Sequence, residues 1–78
     1  MKEMRWIPME ERVPENPKDW RDNSNRYLVF SDYGEQSVLE WCDGWNCSLL
    51  SDGTINKEYE IKGVVAWMPL PEPYRKEK

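Results

Sequence analysis

Short apolar runs separated by turn-forming residues predict a sheet of short strands. The clearest run is Arg26–Ser31, which is rich in β-branched and aromatic residues and too short for a self-standing helix. The residues after it, Asp32-Tyr33-Gly34-Glu35, favour a turn. We therefore expect residues 36–42 to pair back on the first run as an antiparallel strand.

The dipeptide Asp43-Gly44 predicts a tight hairpin, because both central positions of a type I′ turn need a positive φ. A third strand would then cover residues 45–50. With a two-residue loop, Cys42 lies opposite Trp45 and Trp41 opposite Asn46.

Side-chain alternation in this register puts Leu39 and Trp41 on one face of the hairpin. That face is expected to be the buried one, because it lacks a carboxylate. Trp45 would then stay partly exposed beside the hairpin tip. It would share its face with Glu40, Cys42 and Cys47.

The remaining segments complete the predicted organisation. Residues 55–62 show the loose alternation of an edge strand, and residues 63–68 form a last strand that Pro69 stops. Residues 9–12 predict one helical turn at most. Residues 14–25 have no periodicity and two prolines, which indicates a surface loop.

Both ends of the chain carry a tryptophan beside prolines. Trp6 and Trp67 are large apolar anchors, and the prolines near them cannot continue a helix or a central strand. We expect the two ends to pack into one core. The predicted class is mainly all-β: a small antiparallel sheet or an SH3-like partial barrel of four to six short strands. Residues 1–78 would form a single domain, with an ordered core over 5–74 and a flexible tail over 75–78.

Charge excludes some partners. The formal net charge is -4 and no basic stripe is present, so binding to a nucleic-acid backbone is disfavoured. A modest acidic excess is what solubility alone requires, although it leaves acidic mimicry of DNA as a third hypothesis. The longest apolar run, residues 64–68, is far too short to span a bilayer, and two cysteines are too few for a disulfide scaffold. These features indicate a cytoplasmic protein without membrane contact.

No catalytic or metal-binding motif emerges from the sequence. The chain has no histidine, and the paired carboxylates Asp19/Asp22 and Glu58/Glu60 are typical of solvated surfaces. Cys42 and Cys47 provide two thiolates where structural zinc needs four ligands. We expect a non-enzymatic protein without metal or cofactor, whose two cysteines are packed and reduced.

Aromatic residues that the core does not need are the best binding candidates. Trp6, Leu28, Phe30, Trp41 and Trp67 are assigned to the core. Exposed tryptophan and tyrosine supply large contact areas at low entropic cost. The predicted binding surface therefore consists of Trp20, Tyr33 and Trp45 with the flanking Asp22 and Asp43. The alternative for Trp20 is a lid folded back over the small core.

The two end motifs resemble a family of short phage and prophage proteins catalogued as domain of unknown function 551. Its members open with Trp-Ile-x-x-x-x-Arg-x-Pro, which falls here on Trp6, Ile7, Arg12 and Pro14. They close with Trp-Met-Pro-Leu-Pro, usually followed by Glu-Pro, as in residues 67–73. Residues 27–30 also look like the family's Val-Leu-Val-Tyr strand.

Two departures from the family pattern limit what the resemblance carries over. Val65-Ala66 replaces the Thr-His that often precedes the closing tryptophan, so no role of that histidine applies here. The loop over residues 16–25 is longer than usual. The resemblance implies a phage or prophage origin and a small accessory protein, and it implies no reaction.

The expected function is therefore binding of a host or phage protein, with a host defence component as one hypothesis for the partner. The alternative is a sponge or sensor that captures a nucleotide-like small molecule between aromatic rings. The sequence leaves the oligomeric state open.

Overall fold

A four-stranded antiparallel sheet organises the chain, with a separate two-stranded ribbon beside it. The computed structural model describes residues 5–22 and 25–70. The strands are β1 (Ile7–Pro8), β2 (Arg26–Ser31), β3 (Gln36–Glu40), β4 (Ser48–Leu49), β5 (Ile55–Asn56) and β6 (Val64–Pro69). The sheet has the order β1-β6-β2-β3, and β4 pairs with β5. The predicted small antiparallel sheet is thus confirmed. No helix in the described ranges is long and apolar enough to cross a membrane.

The two ends of the described chain meet in the sheet, but the prediction that Trp6 and Trp67 pack into one core is wrong for Trp6, which lies on the opposite face from Trp67 because neighbouring residues of a strand alternate in direction. Ile7 on β1 lies opposite Trp67 on β6. The indole Nε1 of Trp67 donates a hydrogen bond of 3.0 Å to the carbonyl oxygen of Arg12, and the Arg12 guanidinium carbon lies 5.4 Å from the centre of the Trp67 ring. The backbone N–H groups of Glu11 and Arg12 each donate a hydrogen bond to the carbonyl of Pro8. These bonds form the single turn expected over residues 9–12. The motif residues 71–73 and the predicted tail lie outside the described residues.

The core lies on one face of the sheet. We call it the inner face; it carries Ile7, Tyr27, Val29, Leu39 and Trp67. Trp41 and Trp45 cover this face from the segment that follows β3. Tyr27 contacts Trp67 edge to face at 5.0 Å, and Trp41 contacts Trp45 in the same way at 4.9 Å. Such contacts let a small core bury large rings at favourable angles.

A β-bulge changes which face of the sheet the first side chains of β6 occupy. The pairing of β2 with β6 shifts between Phe30 and Ser31, which leaves Val65 without a partner on β2. Val64 consequently packs against the core, while Val65 is exposed.

The predicted hairpin at Asp43-Gly44 is wrong in register. Trp41 pairs with Trp45 across a loop of three residues, so each side chain after the loop changes face relative to the prediction. Asp43 and Asn46 take positive φ values of 57° and 64°, and the N–H of Cys42 donates to the carbonyl of Gly44. This turn places both indoles on the inner side, where their burial stabilises the fold.

The strands predicted over residues 45–50 and 55–62 are shorter than expected. Only β4 and β5 remain, and they pair with each other instead of extending the main sheet. We call the segment from Trp41 to Ile61, which contains β4 and β5, the excursion. A single bridge between Trp45 and Ile61 connects its end to the turn after β3. The excursion therefore packs over the inner face as a cover.

Candidate binding surface

Trp45 was predicted to lie on the binding surface, but in the structure it is part of the core. Only 4% of its surface is exposed, because the three-residue loop turns it inward beside Trp41. Cys42 and Cys47 are likewise buried, whereas the prediction placed both on the more exposed face with Trp45. Burial is the main cause that raises the pKa of both thiols, with Asp43 adding for Cys42 and Glu60 adding for Cys47. Raised pKa values keep both cysteines as protonated thiols.

Trp20 is exposed over 55% of its surface, as the binding prediction requires, and it does not form a lid. The guanidinium carbon of Arg21 lies 5.7 Å from the centre of its ring. The surrounding turn is held by Asp19, whose carboxylate accepts from the N–H of Arg21, and by the half-buried Asp22, which accepts from the N–H of Lys18. Trp20 is thus presented on an ordered turn.

Tyr33 is exposed over 70% of its surface in the turn between β2 and β3. The loop of Trp20 and Asp22 precedes the start of β2, whereas the turn of Tyr33 follows its end. A strand of this length spans roughly 20 Å. Tyr33 and Trp20 therefore do not share one compact surface.

Asp43 remains at the surface and forms an ion pair with Lys57, with 3.3 Å between Oδ2 and Nζ. Its backbone N–H donates to Oδ1 of Asn16, which ties the long loop to the turn after β3. A cavity of about 240 Å³ opens beside it, lined in part by Trp41, Trp45 and Ile61. Trp45 Nε1 is the one buried side-chain polar atom in the described ranges without a hydrogen-bond partner.

A further apolar surface is the second side of the sheet, of which the sequence prediction assigned Trp6, Leu28 and Phe30 to the core. We call it the outer face and define it by Trp6, Leu28, Phe30, Val38 and Met68. Strand register aligns Val38 with Leu28 and Leu28 with Met68, and Trp6 continues this row beyond β1. The Trp6 and Phe30 rings are 5.8 Å apart.

The outer face lacks a cover among the described segments. The excursion through Trp41 and Trp45 and the turn at Arg12 both pack on the inner face. Val38 is 49% exposed and Leu28 and Phe30 are half-buried, whereas Met68 at the centre of the face is buried. The sequence signal for this face was the run Tyr27-Leu28-Val29-Phe30, which is apolar at every position and so makes both faces of β2 apolar.

No metal-binding cluster accompanies this surface among the described residues. Within residues 5–22 and 25–70, no group of three or more histidine, cysteine or carboxylate side chains could hold a metal ion. The cations Arg5, Arg21, Lys57 and Lys62 each lie within ion-pair distance of a carboxylate. Most of the acidic excess is therefore left at the molecular surface.

Comparison with known proteins identifies the family. A family model described as "Protein of unknown function (DUF551)" matches residues 5–74, so the chain belongs to that family. Neither the curated proteins nor the solved structures that were compared contain a match to the chain.

Proposed function

We propose that this member of the DUF551 family is a non-catalytic binding protein whose outer face docks on a protein partner. The observation that carries the proposal is the apolar row Trp6–Met68–Leu28–Val38, which runs from the residue before β1 across β6 and β2 to β3. Val38 is exposed, Trp6 and Leu28 are half-buried, and Met68 is buried between them. Adjacent strands lie about 4.8 Å apart, so the row is on the order of 15 Å across. Exposed apolar patches of this kind mark interaction sites in soluble proteins.

The shape of the outer face favours a macromolecule over a small ligand. A sheet face is flat or gently twisted, whereas small ligands bind in concave pockets. The rings of Trp6, which precedes β1, and Phe30 on β2 contact each other. Exposed aromatic residues often anchor protein interfaces. A partner with a complementary apolar surface would bury both rings.

Charge favours a basic partner over a second copy of the chain. Each molecule has a formal net charge of -4, so two copies repel each other. Glu35 precedes β3 and Glu40 ends it, and neither has an ion-pair partner among the described cations. We therefore expect an apolar patch rimmed by lysine or arginine on the partner.

The biological setting of the proposal is that of a phage or prophage accessory protein acting on a host protein in the bacterial cytoplasm. The opening and closing motifs support this setting through the resemblance described above. A host defence component is our hypothesis for the partner, because small accessory phage proteins often serve that end.

Site-specific photo-crosslinking tests the proposal. A photoreactive amino acid at Phe30, a half-buried aromatic residue of the outer face, should yield an adduct with a host protein in lysogenic cells. The same group at Tyr59, which is 66% exposed on the excursion that covers the inner face, should yield none. The matched charge variant Val38→Lys should reduce capture, while Tyr33→Ala should not. An adduct of twice the chain's mass, or equal crosslinking from both positions, would contradict the proposal.

A second candidate function is capture of a small molecule in the cavity beside Trp41 and Trp45. The two indoles in the lining favour it, because aromatic side chains are typical of small-molecule pockets. Native mass spectrometry of protein from its host cells would show a small-mass adduct that Trp45→Phe loses.

A further inference from the structure

The outer edge of β3 has open backbone groups. β3 is the last strand in the order β1-β6-β2-β3, so only one of its two edges is paired within the sheet. The N–H of Ser31 donates to the carbonyl of Glu35, and the N–H of Trp41 donates to the carbonyl of Asn25. These two bonds identify 31/35 and 25/41 as hydrogen-bonded pairs of the β2–β3 hairpin.

Antiparallel pairs alternate between hydrogen-bonded and non-hydrogen-bonded types. Between the two fixed pairs, 29/37 and 27/39 are consequently hydrogen-bonded. The pairs 30/36, 28/38 and 26/40 are not. Residues in the second set direct their N–H and C=O groups away from the partner strand. The outward groups of β3 therefore belong to Gln36, Val38 and Glu40.

An independent contact confirms this direction. The carbonyl of Glu40 accepts a hydrogen bond of 2.7 Å from the N–H of Asn46, which lies beyond the outer edge of β3. Both backbone groups of Gln36 and Val38 and the N–H of Glu40 have no such partner among the described residues. Gln36 and Val38 are also exposed.

The other edge of the sheet is closed to pairing. β1 has two residues, and one of them is Pro8, which has no N–H to donate. The chain then turns away, with the N–H of Met9 bonded to the carbonyl of Val65. β3 has neither proline nor lysine and no charge over residues 36–39. It lacks the features with which proteins usually protect an edge strand.

We propose that β3 accepts an extended segment of the protein partner as a fifth strand of the sheet. This inference rests on the proposed function and specifies how the partner is held. The open groups of Gln36 and Val38 recur every second residue, about 7 Å apart, which is the spacing of hydrogen-bonding groups along another strand. Alternate side chains of the added strand would continue the apolar row of the outer face next to Val38.

Charge defines the composition of this added strand. Glu35 precedes β3 and Glu40 ends it, and no cation lies between them in the sequence, although Glu40 faces Arg26 across the β2–β3 pair. The segment that fits is rich in β-branched residues and carries lysine or arginine at its ends. Opposite charges at cross-strand positions stabilise pairing.

The sharpest variant is Val38→Pro. Because the N–H of Val38 points away from β2, proline removes an outward donor without breaking the β2–β3 ladder, and edge strands tolerate proline at such positions. Val38→Ala is the matched control, since it also loses the valine side chain and keeps the N–H. Circular dichroism should show that both variants fold.

The probe is a synthetic peptide with the sequence Lys-Val-Thr-Val-Thr-Val-Lys, observed by NMR hydrogen exchange on the full chain. The peptide should slow amide exchange at Gln36 and Val38, and the same peptide methylated on its valine and threonine nitrogens should not. Val38→Pro should weaken binding on the order of tenfold relative to Val38→Ala. Unchanged exchange at both amides, or equal binding by both variants, would overturn the proposal.

The outcomes separate this inference from the proposed function. If crosslinking to a host protein from the outer face persists fully in Val38→Pro, strand addition is wrong and docking on the outer face stands. If neither Val38→Pro nor Val38→Lys affects capture, both are wrong. Self-association of the chain that Val38→Pro abolishes would assign the edge to a second copy and overturn the choice of partner.

Discussion

At the scale of single residues, the five tryptophans divide by environment. Trp41, Trp45 and Trp67 are buried, Trp6 lies half-buried on the outer face, and Trp20 is exposed beside Arg21. The buried rings contact one another or Tyr27 at angles that suit their quadrupoles. Removing any one of them leaves a cavity that a small core cannot refill.

Two alanine variants test this division. Trp45→Ala should reduce the free energy of unfolding by about 3–5 kcal/mol, because it deletes a buried ring. Trp20→Ala should change it by less than about 0.5 kcal/mol, because that ring has few buried contacts. Urea denaturation followed by circular dichroism measures both. Similar losses in the two variants would contradict the assignment of Trp20 to the surface.

The cysteine thiols predict how stability depends on pH. Burial raises the pKa of Cys42 and Cys47 above the usual 9.0, so the unfolded chain loses these protons first as pH rises. The folded state then binds more protons than the unfolded state, and stability must fall above about pH 9. The pKa values of Tyr27 and Lys57 are also raised, but these groups lower stability only at higher pH, because their usual pKa values are 10.0 and 10.5.

Urea midpoints between about pH 8 and 9.5 isolate the thiols. The double variant Cys42→Ala/Cys47→Ala should be less stable at neutral pH, because both side chains are buried, yet it should show a shallower decline across this window. A slope equal to that of the parent protein would show that these thiols do not cause the decline.

At the scale of elements, the turn after β3 decides which face each ring occupies. The sequence predicts β2 and β6 well, because their apolar runs are bounded by turn residues, and it predicts β3 from the turn signal that follows β2. It mispredicts the segment after Trp41, because the dipeptide Asp43-Gly44 fits a two-residue turn while the chain uses three residues. A register shift of one residue moves every following side chain to the other face of the strand, so the sequence analysis assigned Trp45 to the surface.

The outer face was missed for a related reason. An apolar residue in a strand predicts burial, but periodicity alone does not tell which of two apolar faces the rest of the chain covers. Leu28 and Phe30 were assigned to the core with Trp67, although they lie on the other side of β2 from Val29. Only the path of the excursion after β3 resolves this choice, and it depends on contacts distant in sequence.

Asn46 provides a test of the turn itself. It holds a positive φ of 64°, and its side-chain Nδ2 donates to the carbonyl of Tyr59 at 3.0 Å. Asn46→Gly loses the hydrogen bond and keeps the backbone conformation accessible, whereas Asn46→Ala loses both. We expect Asn46→Ala to be less stable than Asn46→Gly by about 1 kcal/mol in urea denaturation. An alanine variant as stable as the glycine variant would contradict a strained turn at this position.

At the scale of the whole molecule, a partly exposed apolar face and an acidic surface act in opposite directions. The outer face favours association of copies, while the net charge of -4 disfavours it. This balance depends on pH, since protonation of carboxylates near the isoelectric point of about 4.8 removes the repulsion. The charge thus opposes self-association through the outer face at neutral pH.

Sedimentation velocity as a function of pH tests this balance. The protein should stay monomeric at neutral pH and low salt, and it should self-associate as the pH approaches about 5, where its charge vanishes. Val38→Lys should suppress that association, because it places a charge in the apolar row of the outer face. The control Tyr59→Lys adds the same charge on the covering excursion, which is not part of the outer face, and should suppress association much less. If both variants suppress it equally, net charge alone explains the effect, and the outer face has no special part in association.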